Sequence, residues 1–130
     1  MTLPTGVNLD HWVHVDDATQ LRRSDFPEDF IISTRLHFQG SGDPENPSWP
    51  PPNEPYQAGL MVYFGDRDVF YWGPYRGAGL VLERSGSNGL CSFNPGLQEL
   101  SLMVTKSGPD YTFAWRASDD DPWQRACAAT

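Results

Sequence analysis

The sequence is poor in the features that mark whole classes of function. It has only two cysteines, Cys91 and Cys127, too few for a disulfide framework, and neither sits in a Cys-x-x-Cys pair or beside a metal-ligating histidine. One bridge between them is an option, but two unpaired thiols are the expected state in a reducing compartment. No stretch approaches the ~18 consecutive apolar residues of a membrane helix. The longest apolar run, around Gly59 to Phe64, has the length of a strand. Basic residues are scarce, 9 against 17 acidic ones, and the net charge of −8 repels phosphate backbones and anionic membrane surfaces. Nucleic acid and membrane are therefore not expected as partners. The opening MTLPTGVNLDHW lacks a basic segment followed by an apolar one. The chain as given is thus expected in the cytoplasm, or outside the cell if cut from a longer precursor.

Motifs for catalysis are missing too. There is no Gly-x-Ser-x-Gly elbow, no P-loop, and no dinucleotide-binding glycine pattern following a strand. The glycine-rich run Gly73 to Gly79 lacks the context for phosphate binding and is expected to be a turn. Histidine is limited to His11, His14 and His37, and the spacing of the first two suits neither a helix face nor a strand face. No metal site or cofactor is expected. The acidic groups Asp16-Asp17 and Asp119-Asp120-Asp121 leave structural Ca²⁺ open, without the spacing of a calcium loop to support it. Glycoside hydrolysis needs two carboxyls flanking a cleft. Glu83 is the only carboxylate inside an expected strand, followed by Arg84 and not by a second acid, while Glu99 stands at a strand start. No catalytic residue is assigned.

What the sequence does have is period-two alternation in short segments split by Gly, Pro, Asn and Asp. Phe30, Ile32, Thr34, Leu36 and Phe38 alternate with Ile31, Ser33, Arg35 and His37. Ala58, Leu60, Val62 and Phe64 alternate with Gly59, Met61 and Tyr63. The same holds for Leu80 and Leu82, for Leu100, Leu102 and Val104, and for Tyr111, Phe113 and Trp115. Gly65 to Asp68 and Ser107 to Asp110 look like hairpin turns, and Gly73-Pro74 and Ser85 to Gly89 like breaks. Helical windows are nearly absent, Asp16 to Arg23 being the sole candidate. The expectation is one all-β domain over residues 1–130, an antiparallel two-sheet sandwich. Residues 40–55 stand apart with six of the 12 prolines, expected as a long surface loop with Trp49 near its centre.

Two stretches carry a resemblance. DATQLRRSDFPEDFIISTRLHF (17–38) followed by YQAGLMVYF (56–64), and later Tyr111 to Asp119 with Trp123, resemble bacterial concanavalin A-like domains. The relevant groups are the "regulation of enolase"-type family and the C-terminal sandwich of family 43 β-xylosidases. The likeness spans about residues 17 to 125, and its motifs mark a fold more than a chemistry. The proline-rich loop departs from the pattern. So does the early end after Trp123, which leaves either His11 to Val15 closing the sheet or an edge open to a partner. The resemblance implies a concanavalin A-like jelly roll and carbohydrate contact.

The ligand set follows from the strand faces turned away from the core. Arg35, His37, Tyr63, Tyr71, Glu83 and Arg116 fall there, and Trp49 is the loop aromatic. Aromatic rings that stack on pyranose faces, with charged groups that fix hydroxyls, suit a sugar on a concave sheet. The expected function is non-catalytic binding of a carbohydrate or small polar ligand. The alternative is an assembly domain, a homodimer through an open edge strand; a small carbohydrate-active enzyme is the third reading.

Overall fold

Gly59 shows how closely the chain is packed. A Cβ added there would run into the backbone carbonyl of Trp72, so position 59 admits only glycine without a shift of backbone. That contact brings two strands together at the start of a four-stranded sheet. The computed structural model describes residues 11–12, 15–16, 25–37, 59–65, 68–74, 79–85, 89–93 and 99–129. Ten strands lie within them and no helix: β1 (His11–Trp12), β2 (Val15–Asp16), β3 (Phe30–His37), β4 (Leu60–Gly65), β5 (Asp68–Pro74), β6 (Leu80–Arg84), β7 (Cys91–Phe93), β8 (Glu99–Ser107), β9 (Asp110–Arg116) and β10 (Gln124–Ala129).

All pairings are antiparallel. One sheet has the order β10-β9-β8-β3, the other β4-β5-β6-β7, and β1 and β2 form a separate two-stranded ribbon. The second sheet is a simple meander. The first is the β8-β9-β10 meander extended by β3, whose pairing with β8 encloses the other sheet in sequence. The turn between β8 and β9 holds Gly108 at φ +56°, where glycine is free of Cβ strain.

The alternating residues face each other across the two sheets. Phe70 and Trp72 of β5, Leu80 and Leu82 of β6, Leu100, Leu102 and Val104 of β8, and Tyr111 and Phe113 of β9 make one buried cluster. Ring centroids of Phe70 and Phe113 lie 5.4 Å apart, and those of Trp72 and Phe113 6.1 Å. The Trp72 indole N–H donates to the Ala114 carbonyl 3.1 Å away, so the largest buried side chain also pairs its one polar atom. Each such side chain contributes about 1.5–3 kcal/mol by leaving water. The molecule is a β-sandwich held by this layer.

Several expectations need correction. Cys91 of β7 and Cys127 of β10 are not free thiols: they form a disulfide, with Cα atoms 6.5 Å apart, joining the last strand of one sheet to the end strand of the other. Spacing in sequence could not reveal this, because the two strands meet only once the sheets stack. The chain does not stop pairing after Trp123, since β10 runs to Ala129 along β9. Its small residues hide its period. His11 to Asp16 pairs with itself instead of closing a sheet. The expected break at Gly73-Pro74 falls at the end of β5, whose last two residues still pair with Val81 and Leu80. Phe64 is not a core residue: at 45% exposure it lies at the end of β4, packed edge-on against Phe70 and Tyr111. The 40–55 loop with Trp49 and most of the candidate helix at 16–23 lie outside the described residues.

Candidate functional site

Strand register decides which outward-facing residues can meet. On β3 the core side takes Phe30, Ile32, Thr34 and Leu36, which leaves Arg35 and His37 on the outer face. Arg35 pairs with Ser101 of β8, and Ser101 pairs with Arg116 of β9, so the two arginines bracket a serine that is only 6% exposed. Two residues further along the strand, on the same face, His37 faces Glu99.

Charges complete the cluster. Arg35 Nε donates to Glu99 Oε1 at 2.6 Å, and Arg35 Nη1 lies 3.1 Å from Asp119 Oδ2. Arg116 Nη2 donates to the other Asp119 oxygen at 2.7 Å, and its Nη1 donates to the Asp119 carbonyl at 2.8 Å. One carboxylate thus links both guanidinium groups. His37 Nδ1 stands 3.8 Å from Glu99 Oε2. The Arg116 guanidinium lies over the Trp123 ring, 4.6 Å from its centroid, a cation–π contact. Arg116 Nε is buried and has no hydrogen-bond partner among the described residues. The hydrogen bond from Arg35, then its charge, holds the Glu99 carboxyl below its ordinary range, and the same contact raises the Arg35 guanidinium.

The turn after β9 positions Asp119. Asp121 accepts from both the backbone N–H and the hydroxyl of Ser118, at 3.0 and 2.9 Å, which closes the turn on itself. Asp119 and Asp121 of the acidic triplet are therefore engaged by arginine and serine. Among the described residues no group of three or more His, Cys, Asp or Glu side chains is gathered as a ligand set for a metal ion. Also among them, no helix is long and apolar enough to cross a membrane.

The remaining candidates lie elsewhere. Tyr71 pairs with Met61 and Glu83, and Tyr63 with Val69, all on the outer face of the other sheet. Arg35, His37 and Arg116 cannot share one concave surface with them, because the core layer lies between. Tyr71 is buried, 5% exposed, and its hydroxyl donates to the Pro74 carbonyl. Val69 and Val81 on that face are buried as well. Glu83 is partly buried there, and burial pushes its carboxyl above the ordinary range. Trp49 lies outside the described residues.

The arrangement that results is a row of hydrogen-bonding groups with an aromatic ring at one end. Ser101, Glu99 and Asp119 join it, none of them in the set expected from sequence, and so does Trp123, one of the aromatics the strand pattern leaves outside the core. Their signal was faint: Arg35 and Glu99 stand 64 residues apart, and only the β3–β8 register brings them together. No family model matches the chain, and no curated protein or solved structure matches it either.

Proposed function

We propose that this chain is a non-catalytic binding module for a carbohydrate or a similarly hydroxyl-rich ligand, built on a concanavalin A-like jelly roll. One observation carries the reading: Arg35, His37 and Arg116, expected as ligand contacts, gather with Glu99, Asp119 and Trp123 on a single sheet face. Vicinal hydroxyls are met by such alternating donors and acceptors, and pyranose C–H faces by an indole. The nested β3–β8 pairing is the feature that favours the jelly roll.

Binding is favoured over hydrolysis by the state of the carboxyls. A glycosidase acid needs a carboxyl with a raised pKa near a second, ionised one. Glu99 is pushed the other way by Arg35. Glu83 is raised, but it stands on the far sheet, away from Glu99 and Asp119. No cofactor enters the proposal. The Cys91–Cys127 bridge supports an oxidising compartment over the cytoplasm as the place of action.

Tryptophan fluorescence tests this directly, during titration with soluble neutral and acidic oligosaccharides. A saturable change with one sugar class, weakened by roughly tenfold or more in Arg35→Ala, is the expected result. No response to any sugar, or an affinity indifferent to Arg35→Ala, refutes it.

A further inference from the structure

The two sheets end in four strands: β3 and β10 in one, β4 and β7 in the other. An edge strand presents unpaired N–H and C=O groups, and proteins blunt such edges with short strands, bulges, prolines or charges. Three of the four edges here carry such a device. β7 is three residues long. The register of β4 shifts between Tyr63 and Gly65. That of β10 shifts between Arg125 and Cys127, and the disulfide ties the strand across to β7.

β3 is neither short nor bulged, and its one full charge, Arg35, is already paired with Glu99 and Asp119. Its eight residues, Phe-Ile-Ile-Ser-Thr-Arg-Leu-His, pair with β8 in unbroken register and include no proline or glycine. Among the described residues nothing pairs with its other side. Side-chain exposure agrees. Leu100, Leu102 and Val104 on neighbouring β8 are at most 1% exposed, whereas Phe30, Ile32 and Leu36 remain half-buried and Ile31 is 70% exposed. The strand is also held in place at its start. Lys106 Nζ donates to the carbonyls of Glu28 and Gly108, and the Gly108 N–H donates to the Asp29 carboxylate at 2.7 Å.

We propose that β3 is a docking edge for a second copy of this chain, the two β3 strands pairing antiparallel about a two-fold axis at Thr34. The sequence suits this register. Ile32 comes opposite the partner's Leu36 on the inner face, extending the apolar layer across the axis. On the outer face Ser33 meets the partner's Arg35 and Ile31 meets the partner's His37, so no like charges oppose each other. Such a contact is isologous and closes at two copies. It joins two four-stranded sheets into one of eight strands and sets two Arg35–Arg116 clusters on a continuous face, an arrangement that gains avidity for any repeating ligand. The inference does not depend on the ligand being a sugar.

The test is the solution mass of the full chain against concentration, by light scattering and sedimentation, with two opposite substitutions at exposed Ser33. Self-association to twice the 14.6 kDa chain mass is expected. Ser33→Lys, opposite the partner's Arg35, weakens it by roughly tenfold, and Ser33→Glu tightens it by a similar factor. A structural defect would move both variants the same way, while Ser107→Lys at an exposed site away from the axis leaves the mass unchanged. A chain that stays at 14.6 kDa up to roughly 100 µM overturns the proposal. So does a dimer insensitive to both Ser33 variants. A monomer whose β3 amides exchange as slowly as those of β8 also overturns it, because the chain would then cover its own edge.

Discussion

Removing the Cys91–Cys127 bridge is the perturbation whose size follows most directly from the structure. The bridge closes a loop with a sequence separation of 36, which spans β8, β9 and most of β10. In the chain-entropy description, opening a loop of that length frees the unfolded state by ~3.8 kcal/mol at 25 °C. The folded state loses little in return. Cys91 and Cys127 are only partly buried, and β10 keeps its pairing with β9. For a domain of this size each kcal/mol moves the melting temperature by roughly 4 °C. The Cys91→Ala/Cys127→Ala protein is therefore expected to melt roughly 15 °C below the oxidised protein, and reduction of the native chain should have a similar effect. Calorimetry or circular dichroism with and without a non-thiol reductant reads this. Thiol titration of the unreduced, denatured protein should find no free cysteine. A melting temperature within about 3 °C of the oxidised value, with the bridge verified as present beforehand, would refute the reasoning.

Three further outcomes follow from single contacts. Trp72→Phe keeps an aromatic ring in the core but leaves the buried Ala114 carbonyl without its indole donor, and should cost about 1–3 kcal/mol by urea denaturation. Gly59→Ala pushes a methyl group against the Trp72 carbonyl and is expected to destabilise by about 1–3 kcal/mol, with loss of amide protection at the start of β4. Glu99 has a folded-state pKa below its unfolded one, so its ion pair stabilises above the unfolded pKa and loses that effect as pH falls through the folded value. Arg35→Ala should return the Glu99 carboxyl towards its ordinary value in a carbon-13 titration and shrink the acid-side loss of stability, leaving the alkaline side unchanged.

Much of the fold was legible because a strand that buries one face shows it in its own residues. The alternation at Phe30 to His37 and at Leu100 to Val104 named the inward residues correctly, and the Ser107 to Asp110 turn was visible in its Gly-Pro-Asp content. β10 was not legible, since Ala126, Cys127 and Ala129 are too small to print a period against their neighbours. The candidate site was half legible. Alternation put Arg35, His37 and Arg116 on an outer face, but it put Tyr63, Tyr71 and Glu83 there too. Nothing local to a strand says to which of two sheets it belongs.

Local pattern alone determined the class of this protein: short one-sided strands, few helical stretches, and turns of glycine, proline and aspartate leave little but antiparallel sheets. Tertiary structure decided whatever depends on distant segments meeting. It made Cys91 and Cys127 a bridge, split the expected ligand residues between two faces, and linked Arg35 to Arg116 through Asp119. The reason is geometric. A period of two reports which side of a strand is buried, whereas sheet order and stacking are set by pairings across dozens of residues, to which that period is blind.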